Sequence, residues 1–255
     1  MPSTQQILGV QFFVGSTTEL IHFFLRAGGI LVVPAAPALV KLRYEDQRYR
    51  RALTEADFAI ADSGLMVLVW KVIAGKNVTR ISGFKYLKGL IENPELRLSR
   101  NVLLVVPSEI AKQRTLAWSR DGDLPWEPDD CYVAPLYGST AEDPGLLRRV
   151  ENRRPRHVII AIGNGPQEKL GMFLRNNLSY RPAIHCVGAA LGFLTGDQIT
   201  IPDWADRLYL GWFFRLLAQP RIFVPRLFRA FELPWLIWKY REKLPPMRPV
   251  AGSEK

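Results

Sequence analysis

The segment Val158-Ile-Ile-Ala-Ile-Gly-Asn-Gly-Pro-Gln-Glu168 combines residue types that could bind a phosphorylated or hydroxylated ligand. Its short apolar run predicts a buried strand, and Pro166 predicts the first residue of a helix. A helix that begins there offers unpaired backbone N–H groups to a phosphate, beside the turn Gly163-Asn-Gly165. Because Glu168 would repel a phosphate placed directly on it, we expect Glu168 to accept hydrogen bonds from sugar or ribose hydroxyls instead.

The same turn also fits a simpler structural role. The dinucleotide-binding fingerprint needs a third small residue three positions after Gly165, and Glu168 stands there, which disfavours an NAD site. Acidic side chains are in any case favoured in the first turn of a helix. The residues alone therefore leave ligand binding and helix capping equally open.

Two charged residues could carry further chemistry. Asp62 follows the apolar segment Phe58–Ala61 and precedes a predicted helix. A carboxylate at that position can act as a general base, although aspartate is also a frequent helix N-cap, and frequency favours the cap. Arg80 has a planar guanidinium that could clamp a diphosphate or lie in solvent.

Short apolar segments alternate with amphipathic ones along the first 200 residues. We predict strands at Ile7–Val14, Ile30–Val33, Phe58–Ala61, Asn101–Val106, His157–Ile162 and Ala183–Val187. We predict helices at Thr17–Arg26, Ala38–Leu53, Leu65–Ala74, Ser108–Arg120, Pro144–Asn152 and Gln167–Asn177. This alternation predicts an α/β fold, a Rossmann-like parallel sheet with helices on both faces.

The chain changes character after about residue 200. We predict an α/β core over residues 1–200, a basic and aromatic helical appendage over 201–244, and a disordered tail over 245–255. The appendage could bind nucleic acid, bind a membrane surface or pack into the core. Its aromatic runs, such as Pro234-Trp-Leu-Ile-Trp-Lys-Tyr240, are too apolar for a typical nucleic-acid groove. We therefore favour an anionic membrane surface as its partner and no nucleic acid.

Composition limits the class of protein. The 255 residues carry a net charge of +10, which indicates an anionic partner. The two cysteines, Cys131 and Cys186, are far apart and suggest neither a disulfide framework nor a zinc site. We expect no cofactor and no metal. The first residues lack signal-peptide features, and no apolar segment reaches the roughly 18 residues of a spanning helix. We expect a cytoplasmic protein; whether it forms a homo-oligomer is open.

The order and spacing of five motifs resemble the WecG/TagA/CpsF glycosyltransferases, also called glycosyltransferase family 26, from about residue 7 to 229. The motifs are Glu55-Ala-Asp-Phe-Ala-Ile-Ala-Asp-Ser-Gly64, Arg80-Ile-Ser-Gly83, Ile162-Gly-Asn-Gly-Pro-Gln-Glu168, Cys186-Val-Gly-Ala-Ala-Leu-Gly-Phe-Leu-Thr-Gly196 and Trp212-Phe-Phe-Arg-Leu-Leu-Ala-Gln-Pro-Arg221.

The resemblance implies an enzyme on the cytoplasmic membrane face that helps to build a cell-surface polysaccharide. Such enzymes move a sugar, in known cases N-acetylmannosamine or its uronic acid, from a UDP-sugar to a polyprenyl-diphosphate-linked acceptor. They invert the anomeric centre without a tightly bound metal. The resemblance makes Asp62 the proposed base. It also assigns two sets of binding residues: one contacts the substrate, and the other, in the appendage, contacts the acceptor diphosphate and the membrane. The substrate contacts are Gly64, Arg80, Gly163, Gly165, Gln167 and Glu168; the appendage contacts are Arg215, Arg221 and Arg226.

The chain departs from the family pattern where family members line the substrate pocket. Thr-x-Asn-Pro becomes Pro34-Ala-Ala-Pro37, so that Pro34 and Ala36 replace polar residues. Lys85 and Gly192 each replace an aspartate. The departures leave the donor sugar open, and they motivate an alternative hypothesis: a catalytically weakened scaffold or regulatory subunit of a polysaccharide assembly complex.

Overall fold

A computed structural model describes residues 2–196, 224 and 228–248 of the chain. These residues form one eight-stranded sheet in the order β1-β2-β4-β3-β8-β7-β5-β6. The strands are Ser3–Ile7 (β1), Val10–Val14 (β2), Gly29–Val32 (β3), Phe58–Ala59 (β4), Val102–Val106 (β5), Cys131–Val133 (β6), His157–Ile160 (β7) and Ala183–Cys186 (β8). Only the hairpin pair β1–β2 is antiparallel within this sheet, and all other neighbours are parallel.

Ten α-helices lie wholly within the described residues. They are Thr17–Ala27 (α1), Ala36–Val40 (α2), Gln47–Thr54 (α3), Gly64–Ala74 (α4), Gly83–Ile91 (α5), Glu109–Asp121 (α6), Pro144–Arg153 (α7), Pro166–Asn177 (α8), Ala190–Leu194 (α9) and Glu232–Tyr240 (α10). Short 3-10 helices span Lys41–Arg43, Pro94–Arg97 and Pro128–Asp130. The predicted α/β class, with a mostly parallel sheet, is confirmed.

The sheet is covered on both faces because its central strands are apolar on both. Ile30 and Val32 point to one hydrophobic core, whereas Leu31 and Val33 point to the other. The first core is closed by α2, α3, α4, α7, α8 and α10, and the second by α1, α5, α6 and α9. Strands buried on both faces read as continuous apolar runs, which is why they stand out in the sequence.

Two predicted elements are wrong. The single strand Ile7–Val14 is instead a hairpin, because Leu8 and Gly9 both have positive φ (51° and 82°) and reverse the chain in two residues. The single helix Ala38–Leu53 is broken into α2, a 3-10 turn and α3. The break follows from Asp46, whose extended backbone and side chain cap a new helix by accepting the Tyr49 N–H at 2.8 Å.

The C-terminal helix packs into the core of the sheet domain. Leu233, Leu236 and Ile237 of α10 are fully buried in the same core as α4 and α2. The first residues of the predicted disordered tail are hydrogen-bonded to this core: Arg50 donates to the Pro245 carbonyl at 2.8 Å, and the Arg248 N–H donates to the Arg43 carbonyl. The disorder prediction therefore does not hold for residues 245–248.

Candidate active site

The carboxyl ends of four neighbouring parallel strands bring the candidate residues to one edge of the sheet. The four strands are neighbours in the order β4, β3, β8 and β7. The residues that follow their carboxyl ends are, in the same order, Asp62, Pro34, Gly188 and Gly163. Open α/β sheets bind ligands outside the carboxyl ends of their strands. This edge is therefore the candidate site.

Asp62 is held at the start of α5. Its Oδ1 accepts the backbone N–H of Gly83 at 3.0 Å, and its own N–H donates to the Ile60 carbonyl at 3.0 Å. Asp62 does not cap α4, the helix that follows it, because Ser63 is the N-cap and accepts the Met66 N–H at 3.2 Å. The helix-cap interpretation of Asp62 from the sequence is thus wrong for α4. The side chain is half-buried and reaches across to another helix.

Arg80 lies directly beside Asp62. Its backbone pairs with Ala61 in an isolated parallel bridge, and its Nε donates to the Asp62 carbonyl at 3.3 Å. The structure thus brings together two residues that are 18 positions apart in the sequence. A carboxylate and a guanidinium in this arrangement can serve as a base and as an electrostatic partner for a leaving phosphate.

The turn from Gly163 to Glu168 is internally hydrogen-bonded. Glu168 Oε2 accepts the Gly165 N–H at 2.6 Å, which completes a cap on α8. Gln167 Nε2 donates to Glu168 Oε1 at 3.0 Å, and Gln167 Oε1 accepts the Gly188 N–H at 2.8 Å. Both side chains are 0% exposed. The geometry therefore corresponds to the capping alternative and joins the loops after β7 and β8.

Burial has an electrostatic consequence for Glu168. Desolvation raises the pKa of its carboxyl, while the hydrogen bonds from Gln167 and Gly165 and the charge of Lys41 act in the opposite direction. Gly163 and Gly165 are both in the left-handed region, with φ of 97° and 105°. Glycine is the residue that adopts this backbone without strain, so the turn depends on both.

Lys41 was not singled out in the sequence, yet it lies at this turn. Its Nζ is 3.6 Å from the position that a Cβ on Gly165 would occupy and 3.3 Å from Glu45 Oε1. Lys41 falls inside the single helix predicted over Ala38–Leu53. The 3-10 turn after α2 instead places its ammonium group against the glycine turn.

The remaining predicted residues are distributed as follows. Gly64 is the first residue of α4. Pro34 and Ala36 are buried after β3, Gly192 lies in α9, and Lys85 is exposed in the first turn of α5, the helix that Asp62 contacts. Three further predicted residues lie outside the described residues: Arg215, Arg221 and Arg226.

Two absences concern the described residues alone. No group of three or more His, Cys, Asp or Glu side chains is arranged there to hold a metal ion. No helix there is both long and apolar enough to cross a bilayer.

Comparison with known proteins supplies the family. A model of the glycosyl transferase WecG/TagA/CpsF family matches residues 5–248. An N-acetylglucosaminyldiphosphoundecaprenol N-acetyl-beta-D-mannosaminyltransferase of Bacillus subtilis (strain 168) is 22% identical over 225 residues, which cover 85% of this chain and 84% of that protein. A protein of the same description from Bacillus spizizenii (strain ATCC 23059 / NRRL B-14472 / W23) is 23% identical over 194 residues, or 75% and 72% of the two chains. The match over nearly the whole length, on a fold of the predicted class, shows that this chain is a transferase and belongs to the WecG/TagA/CpsF glycosyltransferase family.

Proposed function

We propose that this protein transfers an N-acetylmannosamine-like sugar or another hexose from a UDP-sugar to a polyprenyl-diphosphate-linked acceptor, with inversion at the anomeric carbon. The acceptor class follows the reaction named for the two relatives. The product would enter a bacterial surface or exopolysaccharide. The observation that carries the proposal is the position of Asp62 beside Arg80 at the carboxyl edge of the sheet: the Arg80 Nε donates to the backbone carbonyl of Asp62, whose carboxylate accepts the Gly83 N–H.

The proposed step needs a base and a stabilised leaving group. The acceptor hydroxyl oxygen attacks the anomeric carbon, its proton passes to Asp62, and the bond to the UDP oxygen breaks. Positive charge near the departing diphosphate lowers the barrier. Arg80 and Lys41 supply it in the described residues, and Arg215, Arg221 and Arg226 remain proposed contributors.

Gln167 and Glu168 take a positioning role in this proposal. Because their polar atoms are engaged inside the protein, they fix the Gly163–Gly165 turn rather than contact the sugar. The turn then presents backbone groups, with the Lys41 ammonium beside it, to the donor.

The enzyme would act as a peripheral protein on the cytoplasmic face of the cell membrane, where a lipid-linked acceptor lies. The basic, aromatic C-terminal region supports this location.

The test is a two-step assay. A thermal-shift screen against nucleotide-sugars identifies the donor, because a ligand that binds the folded state raises Tm. UDP release is then measured with that donor, with and without a polyprenyl-diphosphate acceptor. Release that requires both substrates supports the proposal. If a donor binds strongly but no UDP is released with any acceptor tested, the result favours the scaffold hypothesis motivated by Pro34, Ala36 and Gly192.

A further inference from the structure

Helix α4 exposes a stripe of apolar side chains. Leu65, Leu68 and Val72 are 38%, 51% and 85% exposed, and their spacing of three and four residues places them on one helix face. The opposite face holds Met66 and Trp70, which are 0% and 1% exposed. Helix α4 is therefore apolar on its outer face as well as on its buried one.

The C-terminal helix repeats this arrangement. Trp235 and Trp238 of α10 are exposed and lie three residues apart, and two further exposed aromatic residues, Phe228 and Phe231, stand just before the helix. The side of α10 that faces the core is formed by a buried apolar set, Leu233, Leu236 and Ile237. The two helices contact each other and cover the same face of the sheet, so their apolar stripes belong to one side of the molecule. We call this side the α4–α10 surface.

The charges around the α4–α10 surface are mainly positive. Its exposed basic residues among those described are Lys71, Arg229, Lys239, Arg241 and Lys243. The carboxylates of α10 and the segment after it are ion-paired: Glu232 with Arg43 at 3.1 Å, and Glu242 with Lys76 at 3.0 Å. An anionic partner would therefore meet cations around an apolar centre.

We propose that the α4–α10 surface docks on an anionic lipid bilayer, with Leu65, Leu68 and Val72 of the α/β core inserted beside the C-terminal helix. This inference rests on the proposed function, which requires access to a lipid-linked acceptor. It extends that function because it makes α4, a helix of the catalytic core, part of the membrane contact.

The composition of the surface identifies the occupant. Tryptophan and phenylalanine beside lysine and arginine are typical of helices that lie in the headgroup region of a membrane. Basic residues close to a membrane are attracted by anionic lipids. A second copy of this chain fits less well, because a twofold interface would bring the same cationic surface against itself.

Docking through α4 would orient the candidate site. Asp62 stands two residues before the first residue of α4. Contact between the outer face of α4 and the headgroups would place the start of that helix near the membrane plane. The proposed base would then lie within reach of an acceptor whose diphosphate is at the surface.

The first test measures vesicle binding without donor or acceptor, so its outcome is independent of whether sugar transfer occurs. The full-length protein is sedimented with vesicles of phosphatidylcholine and phosphatidylglycerol in equal amounts. We expect Leu68→Gln/Val72→Gln to weaken partitioning about tenfold, because two apolar side chains lose lipid contact. The matched control is Leu98→Gln/Ile110→Gln. It changes two residues that are 59% and 61% exposed, Ile110 being on α6 over the opposite face, and should bind like wild type.

The second test places a probe on α4 directly. The native Cys131 and Cys186 are 1% and 0% exposed, so a new surface cysteine can be labelled selectively. With an environment-sensitive fluorophore on Val72→Cys, we expect a blue shift on adding the vesicles. The same fluorophore on Ile110→Cys should not respond.

Three results would overturn the inference. The first is unchanged vesicle binding by Leu68→Gln/Val72→Gln with a wild-type Tm. The second is bound protein whose Val72→Cys probe stays in a polar environment. The third is a wild-type protein that is a dimer by analytical ultracentrifugation, together with a Leu68→Gln/Val72→Gln variant that is a monomer and binds vesicles as well as wild type does. That result would make the surface an interface between copies.

Discussion

The carboxylate of Asp62 accepts the backbone N–H of Gly83 across 3.0 Å, and so joins the end of one strand to the first residue of α5. The favourable interaction of a negative charge with the N-terminus of a helix holds the side chain in place. Asparagine could preserve this contact through its carbonyl oxygen but could not accept a proton. The contact therefore allows a structural role to be separated from a catalytic one.

We expect Asp62→Asn to lower kcat by a factor on the order of 10² to 10⁴, the usual contribution of a general base, with little change in Tm. Steady-state UDP release and thermal unfolding are the measurements. Asp57→Asn is the matched control, because Asp57 is an aspartate just before β4 that pairs with Arg181 and accepts the Ile30 N–H. Its kcat should stay near wild type. Full turnover by Asp62→Asn would exclude Asp62 as the base.

Glu168→Gln should affect stability as well as activity. Glu168 accepts from both Gly165 and Gln167 at full burial, and a glutamine has one acceptor oxygen for these two donors. Leaving a buried donor unpaired costs about 1–3 kcal/mol. Urea unfolding should show that loss, together with a raised KM for the donor. A change in kinetics with an unchanged free energy of unfolding would instead indicate direct contact between Glu168 and substrate.

Lys41→Met should weaken donor binding, since it removes a cation from the Gly163–Gly165 turn. The loss of one charge-assisted contact predicts a rise in donor KM of roughly ten- to a hundredfold, with Lys41→Arg intermediate. Glu45→Gln is the control, because it removes the ion-pair partner of Lys41 but keeps the ammonium. If Glu45→Gln raises KM equally, the ion pair rather than the cation is what matters.

Two buried histidines should make stability depend on pH. Tyr86 Oη lies 2.9 Å from His185 Nδ1, and His185 Nε2 lies 3.2 Å from His157 Nδ1. Burial, with the nearby Arg156, lowers the pKa of His157 to about 4, and burial also lowers the pKa of His185. Both rings are therefore neutral in the folded protein at pH 7.

As pH falls below about 6.5, the unfolded chain takes up protons that the folded chain does not, so stability decreases toward pH 4. His157 alone accounts for a loss of about 3 kcal/mol. Urea unfolding of wild type and His157→Asn, from pH 7.5 to 4, measures it. His157→Asn should be less stable than wild type at pH 7.5. Its free energy of unfolding should decrease less than that of wild type between pH 7.5 and pH 4. Parallel curves for the two proteins would contradict the prediction.

Substitutions in α10 should show how much its buried residues contribute to the stability of the core. Leu236 is 0% exposed in the core shared with α4, so Leu236→Ala should destabilise the protein by about 2–5 kcal/mol. Trp238→Ala changes an exposed residue of the same helix and should cost much less. Calorimetry should show a single transition shifted to lower temperature. A separate low-temperature transition would instead indicate that the C-terminal region unfolds independently.

Local patterns predicted most of the α/β architecture. Strands such as Val102–Val106 are apolar at every position, and helices begin at recognisable signals such as Pro166. The hairpin at Leu8–Gly9 was missed because a leucine with positive φ gives no local signal for a turn. Its geometry is fixed by long-range contacts instead: Leu8 and Gly9 donate to the Arg241 and Glu242 carbonyls.

The sequence by itself determined the fold class, the family motifs and the strand ends that carry Asp62 and Gly163. These depend on apolar periodicity and backbone preferences that act over a few residues. Only the tertiary structure decided what those residues contact. Asp62 binds α5 rather than capping α4, and Glu168 closes its own turn out of reach of solvent. The 3-10 turn after α2 carries Lys41, whose ammonium lies beside the glycine turn of a distant segment. Each outcome depends on segments far apart in the chain that meet only when the sheet assembles.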